Sequence, residues 1–64
     1  MSGQNREEIL VGATVDIVLK ADQSSGKLTR GVVAKILTKS SNHPHGIKVM
    51  LEDGQVGRVK GVVG

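Results

Sequence analysis

Apolar residues in this chain recur at every second position, in short runs interrupted by turn formers, a pattern that leaves little room for anything but β-structure. Val15, Ile17 and Leu19 share one face of an extended segment, and Ile47, Val49 and Leu51 share one face of another, with Lys48 opposite. Between them, residues 28–38 are the longest extended candidate. There Val32, Ala34 and Ile36 alternate with Val33, Lys35 and Leu37, so both faces carry apolar surface. Gly31 is the expected site of a bend or bulge that would let one strand serve two sheet faces. Asp53-Gly54, flanked by apolar strands, reads as a two-residue type I′ hairpin turn. In that register Leu51 faces Val56 and Val49 would face Arg58. A bulge is therefore expected at Gly57, which brings Val59 opposite Val49 and Gly61 opposite Ile47.

Polar stretches at residues 21–27 and 39–46 separate these runs, the second closed by Pro44 and Gly46. Asn5 before Arg6-Glu7-Glu8-Ile9-Leu10 reads as the N-cap of a helical turn that ends at Gly12, long enough only for an accessory element. Residues 1–8 are expected to be partly disordered, and residues 9–64 to form a single small β-barrel domain. A chain this short buries only about 60% of its unfolded surface. Among the 64 residues there is no aromatic side chain and no cysteine, so the core must come from Val, Ile and Leu, and ten valines suit strands well. Four or five short antiparallel strands favour a closed or half-closed barrel, which also removes exposed strand edges.

Several kinds of chemistry are excluded or weakly supported. Without cysteine there is no disulfide, thiolate metal site or thiol nucleophile. No apolar run approaches the roughly 20 residues of a bilayer-spanning helix, and Arg6, Glu7 and Glu8 break any apolar signal segment near the start, so a cytoplasmic protein without membrane contact is expected. Ser25-Gly26-Lys27-Leu28 superficially resembles a phosphate-binding loop. It lacks the earlier glycine and the Ser or Thr that would hold magnesium, and a strand follows where that motif needs a helix. His43-Pro44-His45 offers two imidazoles, fewer than the three or four ligands of a zinc site. They are possible loop contacts to a ligand, and neither has an identifiable orienting partner for general-base work. Ser24, Ser25, Ser40 and Ser41 lie in no nucleophile elbow. An enzyme is therefore not expected, nor is a cofactor or a metal.

Charge is the remaining signal. The net charge is +3, but residues 1–26 carry −2 and residues 27–64 carry +5. An excess of that size attracts phosphates. Lys27, Arg30, Lys39, Arg58 and Lys60 are the candidate nucleic-acid-binding residues. Arg30-Gly31 and Gly57-Arg58 each set a guanidinium beside a glycine, where backbone and phosphate can approach closely. Lys35 and Lys48 read as solvated strand faces. With no aromatic platform for stacking bases, contacts should fall on the sugar–phosphate backbone, respond to salt and discriminate little between sequences.

Three segments carry a resemblance: Leu28-Thr29-Arg30-Gly31, His43-Pro44-His45-Gly46-Ile47-Lys48-Val49 and Asp53-Gly54-Gln55-Val56-Gly57-Arg58-Val59. Together with Gly12-Ala13-Thr14-Val15-Asp16-Ile17, they resemble the YwbE-like family of small, uncharacterised, mostly microbial proteins over nearly the whole chain. Met50 departs from the pattern where a basic residue would be expected, interrupting a basic stripe. A looser resemblance, through Gly12-x-x-Val15-x-Ile17 and Arg30-Gly31-Val32-Val33-x-x-Ile36, is to the KOW-type, SH3-like barrels of ribosomal proteins and transcription elongation factors. It implies an SH3-like barrel of the kind that often binds RNA or protein through its loops. With the residue patterns above, the expectation is an all-β, SH3-like barrel with a short N-terminal helical turn, and RNA or a ribonucleoprotein as partner. The alternative is a protein-interaction module that uses an exposed strand edge and the 39–46 loop to augment a partner's sheet.

Overall fold

The computed structural model describes Glu7 and residues 9–64. Four strands, β1 (Thr14–Leu19), β2 (Thr29–Ile36), β3 (Lys48–Leu51) and β4 (Val56–Val62), follow one another in the chain. Each pairs antiparallel with two neighbours, β4 returning to β1, so the sheet closes into a barrel. This is the small all-β, SH3-like architecture expected, with four strands. A 3₁₀ turn, Lys20–Asp22, follows β1. The expected N-terminal helical turn and the disorder of residues 1–8 fall largely outside the described residues. No described helix is long and apolar enough to cross a membrane.

Alternation puts Val15, Ile17, Val33, Ile47, Val49, Leu51 and Val59 inside the cylinder, all at most 1% exposed. Ile9 joins them from the N-terminal side, while Leu19, Ile36 and Val62 pack against the cluster. No polar or charged residue is buried among those described. The core is therefore aliphatic throughout, and each of these side chains contributes about 1.5–3 kcal/mol on burial.

The β3–β4 hairpin departs from expectation by one residue. The Leu51 amide donates to Gln55 O at 2.8 Å and the Gly54 amide to Leu51 O at 2.9 Å. The connection is thus three residues, Glu52 to Gly54, with Gly54 at φ 91° completing it. Asp53 holds the turn by accepting from the Gln55 amide at 3.1 Å and from Gln55 Nε2 at 2.7 Å. The longer turn sets Val49 opposite Gly57 and Lys48 opposite Arg58, and the Val59 amide donates to Ile47 O.

No bulge at Gly57 is needed, because this register already keeps Arg58 on the outside. Gly57 serves close approach instead: a Cβ there would lie 2.5 Å from Val18 O. Gly31 does the same on β2, where Leu51 Cδ1 packs over it, 2.5 Å from where a Cβ would be. The irregularities fall elsewhere. In β2 the pairing passes from Val33–Leu51 to Lys35–Met50, leaving Ala34 unopposed. In β4 it passes from Ile17–Val59 to Asp16–Gly61, leaving Lys60 unopposed.

Candidate functional site

The correct hairpin register creates an unusual pair on the barrel's outer surface. Arg58 on β4 lies directly across from Lys48 on β3. Like charges facing each other across an antiparallel pair destabilise a sheet. On its other side Arg58 is opposite Val18 of β1, which is only 6% exposed. Lys20 follows at the end of β1, in the 3₁₀ turn, and Lys60 stands two residues beyond Arg58 on the same strand.

Two adjacent depressions lie along this surface. One, of about 540 Å³, is lined by Val18, Gln23, Gly26, His45, Arg58 and Lys60. The other, of about 370 Å³, is lined by Lys20, Gln23, Lys48, Val56 and Arg58. Arg58 and Gln23 belong to both. Four cations thus border two adjacent hollows, and among the described residues no carboxylate lines either.

The 43–46 loop is pinned to this surface through its backbone. Arg58 Nη1 donates to Gly46 O at 3.3 Å and Lys60 Nζ to His45 O at 3.1 Å. Within the loop the His45 amide donates to His43 Nδ1 at 3.2 Å, which requires that nitrogen to be unprotonated. Burial, reinforced by the charges of Arg58 and His45, holds His43 below the ordinary histidine value. The two imidazole rings lie 5.8 Å apart, tilted by 48°.

Of the residues expected from sequence, Arg58 and Lys60 come together here with His45 beside them, and His43 supports the loop from behind. Arg30 does not join them. Its strand partner is Asp16, which its Nε and Nη2 grip at 2.9 and 3.3 Å. That hydrogen-bonded pairing draws the Asp16 carboxyl below its usual range, so Arg30 is neutralised on the β1–β2 ladder. Lys27 and Lys39 are exposed in separate loops and line neither depression. Lys20 and Lys48 take their places. Lys48 is exposed on β3, as read from the sequence; the turn length additionally sets it opposite Arg58. Among the described residues Arg30–Asp16 is the only ion pair, and no group of three or more potential metal-ligating side chains occurs.

Residues 2–62 match the family described as Uncharacterized conserved protein (DUF2196). The chain belongs to this family. It is 65% identical over 63 residues to "Uncharacterized protein YwbE" of Bacillus subtilis (strain 168), a match covering 98% of this chain and 97% of the relative. No solved structure matches. The family match agrees with the first of the two resemblances in the sequence. In the closed barrel each strand pairs with two others, β2 with β1 through its first half and with β3 through its second.

Proposed function

We propose that this chain is a nucleic-acid-binding module, for RNA before DNA, that holds a sugar–phosphate backbone across the outer face of β3 and β4 and carries out no catalysis of its own. The observation behind this reading is the directly opposed Lys48–Arg58 pair, extended by Lys20 and Lys60 around hollows that no carboxylate lines among the described residues. A bound phosphate chain would relieve the repulsion that the free barrel carries. The absence of any aromatic residue directs the contacts to phosphates and sugars rather than to stacked bases. The looser resemblance of the sequence to KOW-type barrels favours RNA.

Charge reversal tests the reading. Lys48→Glu and Arg30→Glu change the net charge equally, yet only Lys48 lies on the proposed face. Lys48→Glu should weaken binding of a short RNA at low salt by at least about tenfold, the loss of one contact plus a new repulsion. Arg30→Glu should change it little. Equal losses in both variants, or no RNA binding by the unmodified chain at low salt, would remove the proposal.

A further inference from the structure

The larger depression differs from the smaller in ways that point to a more particular ligand. Building on the phosphate-binding reading above, we infer that it receives a terminal nucleotide, a nucleoside carrying a phosphomonoester, and so gives the module a preference for phosphorylated strand ends. Two cations, Arg58 and Lys60, line this one hollow. An internal phosphodiester carries one negative charge, whereas a phosphomonoester carries about 1.5 to 2 at neutral pH, so paired cations suit a strand end. The smaller hollow has three, Lys20, Lys48 and Arg58, but at about 370 Å³ offers less room for the nucleoside. Among the described residues Arg58 engages one of its N–H donors, on Gly46 O, which leaves most of its planar fork available for a phosphate.

Lys60 sits at the irregularity in β4, between the pairs Ile17–Val59 and Asp16–Gly61. The extra residue brings Val62 opposite Val15, into phase with the core it packs against, and leaves Lys60 outward and unopposed at the rim of the hollow. The hollow is also larger than a bare phosphate needs. Its volume of about 540 Å³ falls within the range of small-molecule sites, roughly 300–1,000 Å³. Buried Val18 gives an apolar patch, the Gln23 amide can both donate and accept at a base edge, and Gly26 has no side chain to obstruct entry. His45 stands on the remaining side, held by the bond from Lys60 Nζ to its carbonyl.

The experiment compares one ten-nucleotide RNA in three forms, with a 5′-phosphate, with a 3′-phosphate and with hydroxyls at both ends, alongside adenosine 5′-monophosphate and inorganic phosphate. Affinity is read by fluorescence anisotropy, and the site by amide chemical-shift changes. One phosphorylated form should bind at least about fivefold tighter than the hydroxyl form, the effect of one further charge at contact distance in water. Which form gains identifies the strand end, and adenosine monophosphate should move the amides of Gln23, Gly26 and His45. Lys60→Gln should abolish the preference. Lys48→Gln, which removes the same charge from the neighbouring hollow, should lower all affinities and keep it. Equal binding of all three RNAs overturns the inference and leaves the backbone reading standing. Shifts from adenosine monophosphate with no RNA bound would overturn the backbone reading and leave this site intact. Inorganic phosphate acting as strongly as the mononucleotide would overturn the nucleoside part of the assignment, and a preference that survives Lys60→Gln would overturn its location.

Discussion

Gly46 and Gly54 adopt nearly the same left-handed backbone, at φ 99° and 91°, but their surroundings differ. A Cβ on Gly54 would meet nothing within 4 Å, whereas one on Gly46 would run into the carbonyl oxygen of Val59. Gly54→Ala should therefore cost only the conformational strain, about 1–2 kcal/mol, or a fall in melting temperature of roughly 4–16 °C. Gly46→Ala must also push the 43–46 loop off β4, and should cost visibly more in the same thermal unfolding measurement. Equal losses would mean that the loop is not held against β4 as described. His43 supplies a second residue-level expectation. Unfolded, it takes up a proton near pH 6.5; in the barrel it does so only at lower pH. In that window the unfolded chain binds more protons, so stability falls as the pH drops from above 6.5 through the folded value. His43→Asn retains an acceptor for the His45 amide without titrating, and should flatten the dependence of melting temperature on pH between 7 and 5. A slope unchanged in the variant would assign it to another group. Below this range Asp16 and Asp53 take over. Both are drawn below 3.8 by their hydrogen bonds, from Arg30 and Gln55 respectively, so their stabilisation is complete above that value and lost as pH falls through the folded ones.

At the scale of strands, the inward sets Val15/Ile17, Ile47/Val49/Leu51 and Val59 were legible because two-residue alternation depends on nothing beyond the strand itself. Register was not. The Asp53-Gly54 pair marked the hairpin correctly, but whether such a pair closes a two- or three-residue turn depends on the residue before it. Glu52 enters the turn here because its amide is taken by Val32 O of β2, at 2.9 Å, a tertiary contact that local sequence does not display. That one residue moves Val49 from Arg58 to Gly57 and makes a compensating bulge unnecessary. Gly31 and Gly57 were correctly singled out but for the wrong purpose: both are places where another group packs onto the strand. The nature of that group separates them. Beside Gly57 it is the Val18 backbone; beside Gly31 it is the end of the Leu51 side chain, which can change rotamer. Gly57→Ala should accordingly destabilise the barrel by about 1–3 kcal/mol, and Gly31→Ala by less, as read from urea midpoints at constant slope. The reverse order would contradict the packing of β4 against β1.

For the whole molecule, the closure of the barrel determines which cations can act together. A linear count assigns +5 to residues 27–64 but cannot say that Arg30 belongs to the β1–β2 ladder while Lys48 and Arg58 belong to the β3–β4 ladder, on the far side of the cylinder. Nor can it show that Lys20, from the acidic first half, is carried to the same hollow as Lys48 and Arg58. Salt dependence converts this geometry into a number. If Lys20, Lys48, Arg58 and Lys60 each neutralise one phosphate, the logarithm of the association constant for single-stranded RNA should fall against the logarithm of salt concentration with a slope near −3, about 0.7 per contact. Replacing any one of the four with Gln should reduce the slope by about 0.7, while Lys27→Gln, Lys39→Gln and Arg30→Gln should leave it nearly unchanged although each removes the same charge from the chain. A slope that follows net charge whichever cation is removed would mean that the barrel acts as a diffuse positive body, and the β3–β4 face would lose its claim to be the interface.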